Sequence, residues 1–440
     1  MAARASIAIA MQGSAATRID AGGHPMTTDW TAQTSDPKAR KLMQGFPPAP
    51  DLVVRGDNGL SGNSFPNTRW AFSHQREMKS TVNIRRGSGP VHAFPRALRD
   101  DIDAVGFHTQ DGRQINWGQS IDEMFTDGIV VLHRGKIVYE TYRSALEPHL
   151  PHIAFSVTKS FVGLMTAVLV HEGKIHADSP VTRYVRELEG TAYADATVRQ
   201  VTDMTIGVQY SENYTDRNAE VRSYGIAAGF SPPPQGYAGP DTIFDFLRTL
   251  KKQGEHGQAF AYKTCNTEVL SWIVQRVTDT HMAQLLSERI WQKIGAEEDA
   301  YLIVDRIGTP ATGGGMNLAL RDLARFGEML RVGGTFNGHE VVPHAVIHDI
   351  ATGGNRDHFA KAGYTTVAGW SYRNQFWVSH DKFGAYTARG IHGQVCWIAP
   401  KAEVVIARFA SHQVAANGNS ILDKVSLPAY AALAEHLMRD

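Results

Sequence analysis

Two strand-forming stretches lie near opposite ends of this chain, and the long interval between them reads mostly as helix. Near the start, Ile129–Leu132 and Ile137–Tyr142 are rich in β-branched and aromatic residues and flank Arg134-Gly135, the pattern of a hairpin. Near the end, Asn374–Ser379, Ala385–Trp397 and Glu403–Ala410 return to strand-like sequence. Between them, Phe161, Leu164, Met165, Val168 and Leu169 recur at helical spacing, with Gly173 as a stop. So do Val269, Leu270, Ile273, Val274 and Val277, and then Leu285, Leu286, Ile290 and Ile294. A last helix is expected over about 427–438, opened by Pro428. The simplest closure pairs the early hairpin with the late strands. That predicts an α+β fold: an antiparallel sheet flanked by helices, with an inserted helical lobe. The expected division is a loose N-terminal arm over 1–65, a sheet domain from 66–155 and 330–440, and a mostly helical domain over 156–329. A cleft between two such lobes is a natural place for a site.

Composition narrows the function classes. With 42% hydrophobic and 20% charged residues over 440 positions, the chain is neither disordered nor fibrous, and it can bury a core without metals or disulfides. Lys+Arg and Asp+Glu are both 44, a formal charge of +0 that offers no basic stripe for nucleic acid. Cys265 and Cys396 are too few and too far apart for a disulfide framework and read as reduced packing thiols. The longest apolar run, Phe161–Val170, is too short to cross a bilayer. The stretch Ala5–Met11 imitates a signal peptide but is minimal and is interrupted by Gln12. It reads better as a leader ahead of a start at Met26. The expected location is the cytoplasm, with the periplasm or secretion as alternatives.

No zinc-type, Walker or G-x-S-x-G signature is present, and no metal or cofactor is expected. Ser-x-x-Lys occurs three times, at Ser35–Lys38, Ser156–Lys159 and Ser379–Lys382. Such a loose pattern arises about once by chance in a chain of this size. Context separates the three. Ser35 lies in the arm with Pro37 inside its motif, and Ser379 lies in a polar turn at a strand end. Only Ser156 opens a strongly apolar helix. A serine there meets free backbone N–H groups and the positive end of the helix dipole. Lys159 projects from the same face one turn on, where its amine can reach the hydroxyl; partial burial would lower its pKa and make it a base. On these residues alone, an N-cap serine with a surface lysine fits as well.

Ser156-Val157-Thr158-Lys159 before an apolar helix resembles the penicillin-recognising serine hydrolases: class C β-lactamases, DD-peptidases and their esterase relatives. Gly313–Asn317 running into Arg321–Gly327 is similar to a further segment of that superfamily. Within it, Arg69–His74, Asn266–Val274 and Gly390–Gln394 resemble the nylon-oligomer (6-aminohexanoate-dimer) hydrolase branch. The resemblance spans about 66–440. It implies a β-lactamase/DD-peptidase-like fold and a serine amidase or esterase working through an acyl-enzyme. It also implies Ser156, Lys159 and Tyr262 as catalytic residues, with Tyr262 exchanging protons with the leaving group. The superfamily's Tyr-x-Asn falls on Tyr262-Lys263-Thr264-Cys265-Asn266, so either Thr264 or Asn266 would orient the substrate. Its Lys-Thr-Gly falls on Ala388-Arg389-Gly390, which keeps only the glycine. Gly390 would let the strand approach the substrate, and the Ile391 N–H would join that of Ser156 as an oxyanion hole. His392 stands beside it, as a substrate contact, as a general base or as an outward strand residue.

The segment 209–240 is long, aromatic and rich in Gly and Pro, as lids often are. It carries Tyr214 and Phe230 as expected substrate contacts. In the related branch a tyrosine at the place of Tyr214 closes over the bound amide. Gly225 stands where that branch can carry an acidic residue for a substrate amine, and Gly313 lacks a polar side chain found nearby in the branch. The expected partner is a small amide or ester, with no nucleic acid or membrane and with room for a homodimer. The alternatives are a carboxylesterase or β-lactamase of the same fold, or a relative that is acylated without turning over.

Overall fold

The computed structural model describes residues 30–55, 60–214, 216, 218–416 and 420–439, together with the backbone of 18–19 and 25–26. The expected leader lies outside the described residues.

Seven antiparallel strands form the main sheet: β1 (Thr126–His133), β2 (Lys136–Tyr142), β3 (Ser371–Arg373), β4 (Phe376–Val378), β5 (Tyr386–Gly390), β6 (Gln394–Ala399) and β7 (Val404–Ala410). Their order is β3-β4-β5-β6-β7-β1-β2, so β7 pairs with β1 and joins the end of the chain to its early hairpin. Arg134 and Gly135 both take positive φ at the β1–β2 turn, as a two-residue hairpin requires. Asn374 and Gln375, expected within a strand, instead make the β3–β4 turn, also at positive φ.

Every residue of β1 is buried because the sheet is covered on both faces. Val130, Leu132, Ala388, Cys396 and Ala407 belong to one apolar cluster, while Ile129, Val131, Val395, Trp397 and Ile406 belong to a second. That alternation is the period-two geometry of a strand. On the first face lie α1 (Val157–His171) and α4 (Leu320–Arg331), and the same apolar cluster continues through α2 (Glu220–Ala227) and α3 (Cys265–Thr278). The rings of Phe161 in α1 and Phe326 in α4 stack 3.9 Å apart between centroids.

On the second face lies α5 (Asp423–Leu437). Pro428, expected to open this helix, sits inside it. The proline cannot donate to the Lys424 carbonyl one turn back, and the Gln110 backbone N–H supplies that bond instead at 2.8 Å. The later part of the N-terminal arm is not loose: Leu42 and Val54 are buried against Trp70 and Ala71, apolar side chains the composition of the segment obscures. No helix among the described residues is long and apolar enough to cross a membrane.

A smaller sheet sets the position of the site. His152–Ile153, Met316–Leu318, Ala300–Ile303 and Thr81–Ile84 pair in that order, bringing the chain before Ser156 beside the Gly313–Gly315 segment.

Candidate active site

Ser156 is the N-cap of α1 and is preceded by Phe155 at φ 43°, a left-handed conformation that costs a non-glycine residue energy. Lys159 Nζ donates to Ser156 Oγ at 2.9 Å and also to the Gly313 carbonyl. The lysine is buried at 1% exposure, and burial lowers its pKa to about 8, against the opposing pull of the Glu212 and Glu268 carboxylates. A large fraction is therefore the neutral amine near pH 8. The other two Ser-x-x-Lys sites lack this contact. Ser35 Oγ donates to the Thr31 carbonyl, Ser379 Oγ donates to the Ala385 carbonyl, and Lys382 pairs with Glu435.

Tyr262 stands on the other side of the lysine, its ring centroid 5.3 Å from Nζ and its face stacked on Trp377. Burial, then the Glu212 charge, push its hydroxyl well above the usual phenol range, while the facing Ser156 hydroxyl pulls the other way. The group is a neutral proton donor at ordinary pH.

The end of β5 presses on the start of α1. A Cβ on Gly390 would meet the Ala154 carbonyl at 2.6 Å and the Ser156 nitrogen at 3.1 Å, so glycine is required for the approach. The Ser156 N–H, at a helix N-cap, and the Ile391 N–H, at the first position of a 3-10 turn, belong to classes of donor with no intrahelical acceptor. Arg389 goes to the opposite face of the sheet, where it pairs with Asp423 and lies over Trp377.

Ser156 opens into a cavity of about 190 Å³ lined by Phe72, Phe155, Tyr214, Phe230, Thr264 and Ile391, with Gly225 and His392 also in its wall. His392 Nδ1 lies 2.6 Å from the His412 carbonyl and must donate to it, which leaves Nε2 as an acceptor. Burial pushes this imidazole down to about 4, so it is neutral. Of the two residues expected to orient substrate, Thr264 lines the cavity. Asn266 does not: it is buried in α3 and accepts from Tyr193 Oη at 2.8 Å. Among the described residues, no group of three His, Cys, Asp or Glu side chains is placed to hold a metal ion.

Two carboxylates escaped the sequence reading. Glu212 accepts from Tyr214 Oη at 3.0 Å and from the Thr264 N–H at 2.5 Å, tying the aromatic segment to the start of α3. Glu268 is buried and accepts from the N–H groups of Thr312 and Gly313, from Thr312 Oγ1 and from Tyr224 Oη. It holds the Thr312–Gly313 peptide, next to the Gly313 carbonyl that receives Lys159. Both lie inside stretches the sequence singles out, but nothing in a linear pattern marks a glutamate that folds inward.

Comparison with known proteins places the chain in a family. The beta-lactamase family profile matches residues 121–425. The chain is 35% identical over 347 residues to the 6-aminohexanoate-dimer hydrolase of Paenarthrobacter ureafaciens, covering 79% of this chain and 86% of that protein. A solved structure of a Bacillus anthracis protein, provisionally described as a 6-aminohexanoate-dimer hydrolase, superposes with a TM-score of 0.80 at 29% identity. That match covers 88% of this chain and 99% of the other. EstCE1, a hydrolase with promiscuous acyltransferase activity, shares the fold at a TM-score of 0.54 and 15% identity, over 72% of this chain and 96% of its own.

Proposed function

The chain belongs to the beta-lactamase family and is a serine hydrolase similar to 6-aminohexanoate-dimer hydrolase, and on that premise we propose that Ser156, Lys159 and Tyr262 cleave linear amides or esters through an acyl-enzyme. Ser156 Oγ attacks the carbonyl carbon as its proton passes to neutral Lys159. The N–H groups of Ser156 and Ile391 hold the oxyanion. As the carbonyl C–N or C–O bond breaks, the proton moves through Tyr262 to the departing amine or alcohol. Water then attacks the acyl carbon, giving its proton to the same pair, which passes it to Ser156 Oγ as the Ser156–acyl bond breaks and the acid is released.

The observation that carries this reading is the buried Lys159 amine 2.9 Å from a serine hydroxyl at the floor of a cavity. Intact-mass analysis after fluorophosphonate treatment tests it. One adduct, absent in Ser156→Ala, is expected; an adduct on any other serine overturns the assignment. The mostly apolar lining also suits short-chain esters, which the same residues would cleave. We place the activity in the cytoplasm, a compartment that suits the buried free thiols of Cys265 and Cys396. Fractionation of the native host tests this, and recovery with the periplasmic or secreted proteins overturns it.

A further inference from the structure

The cavity beside Ser156 is lined mostly by uncharged residues. Among the described residues lining it, Arg222 alone carries a formal charge, since His392 is neutral. Arg222 lies on α2 beside Val221, one turn before Gly225, and both neighbours share the wall. Its guanidinium donates to the Tyr214 carbonyl, which fixes the group against the aromatic segment. Among the described residues no carboxylate lies within ion-pair distance of it. The three nearest in sequence are engaged elsewhere: Glu220 accepts from the Ser211 N–H at 2.9 Å, Asp216 from the Asn218 N–H at 2.9 Å, and Glu212 from Tyr214 Oη and the Thr264 N–H. A guanidinium keeps its charge at all ordinary pH and presents several donors, of which one contact uses few.

Tyr262, the proton donor to the leaving group in the proposed mechanism, is not part of this lining. The lined cavity therefore receives the acyl half of the substrate. A linear acyl chain would run from Ser156 past Phe72, Phe155 and Phe230 and bring its far end to α2.

We infer that the preferred acyl group ends in a carboxylate, held by Arg222, so that the substrates are monoamides or half-esters of linear dicarboxylic acids. This rests on the serine-hydrolase reading of the same site and adds the chemical class of the acyl chain. A chain ending in an ammonium would meet a like charge and no acid.

The test compares kcat/KM for three p-nitroanilides of matched length: the adipic acid monoanilide, hexanoyl anilide and 6-aminohexanoyl anilide. The carboxylate-ended substrate is expected to exceed the neutral one by about tenfold, the worth of one charge-assisted hydrogen bond. The ammonium-ended one should be the poorest. That carboxylate-to-neutral ratio should fall toward one in Arg222→Gln, drop below one in Arg222→Glu and be largely kept in Arg222→Lys. It should also shrink with added salt in the unaltered protein, a readout that needs no variant to fold. Equal or reversed rates for the three anilides in the unaltered protein overturn the inference, as does a carboxylate preference that survives Arg222→Glu. If no anilide is cleaved and fluorophosphonate leaves no adduct on Ser156, the serine-hydrolase reading itself fails. Cleavage of the neutral anilide with no carboxylate preference sinks only the claim about Arg222.

Discussion

Lys159 Nζ lies 2.9 Å from Ser156 Oγ, one turn along the helix that Ser156 opens, with burial holding the lysine pKa at about 8. Only the neutral amine can take the serine proton. The acylation rate should therefore rise with pH through an apparent pKa near 8 and level off above it. Lys159→Ala should lose about 10²–10⁴ in kcat, the usual worth of a positioned base, and should lose the limb as well. A kcat/KM profile from pH 6 to 10 reads this; a flat profile would remove Lys159 from the base role.

The same burial is a cost to the fold with a definite pH sign. The folded pKa lies below the ordinary value of 10.5, so between about 8 and 10.5 the unfolded chain holds a proton the folded chain lacks. Stability from this group therefore rises with pH across that window. Urea midpoints should show the unaltered protein gaining on Lys159→Met from pH 8 to 10, and a constant gap would contradict the shift.

Tyr262→Phe should separate substrates by leaving group. An amine must be protonated to depart, whereas p-nitrophenolate need not be. The loss should be about 10² or more on anilides and far smaller on p-nitrophenyl esters. Equal losses on both would make Tyr262 a packing residue against Trp377.

Gly313 has no room to grow. A Cβ there would meet Thr264 Cγ2 at 2.4 Å, Tyr224 Oη at 2.6 Å and Glu268 Oε1 at 3.0 Å. Gly313→Ala should cost about 1–3 kcal/mol by overpacking and displace the carbonyl that receives Lys159. Glu268→Gln keeps the volume but gives up one of two acceptor oxygens, and should lower kcat about tenfold while moving the pH limb. Thermal melts and pH profiles distinguish the two variants. An unmoved limb in Glu268→Gln would leave that glutamate a purely structural role.

Gly225 is the converse case, since a Cβ there meets nothing within 4 Å. Gly225→Asp should fold normally and set an acid one helical turn from Arg222, facing the same cavity. Activity on ammonium-ended chains, the linear 6-aminohexanoate dimer among them, should rise about tenfold as that on carboxylate-ended chains falls. Nitrocefin should stay a poor substrate of either form, because Arg389 pairs with Asp423 and does not line the Ser156 cavity, and Ala388 offers no cation for a β-lactam carboxylate. Nitrocefin as the best substrate would overturn this account.

The local sequence determined the pieces of this protein whose physics is local. The serine at the mouth of an apolar helix with a lysine within reach one turn on, and the Arg134-Gly135 hairpin, follow from spacing and backbone preference. The pairing of that lysine with the serine, and the glycine where β5 approaches α1, were legible only through the resemblance to the serine hydrolases. The pairing of early and late strands was legible too, because neither stretch can bury its apolar residues alone. Tertiary structure decided which polar groups turn inward. Glu212 and Glu268 are ordinary glutamates in sequence and acquire their roles only when α3, the Thr312–Gly313 segment and the aromatic segment converge. Asn266 and Thr264 stand two residues apart, and only the orientation of the first turn of α3 puts one in the cavity and the other in the core. The lysine's pKa is likewise a property of the assembled interior: desolvation depends on every group packed around the amine, and no window of sequence contains them all.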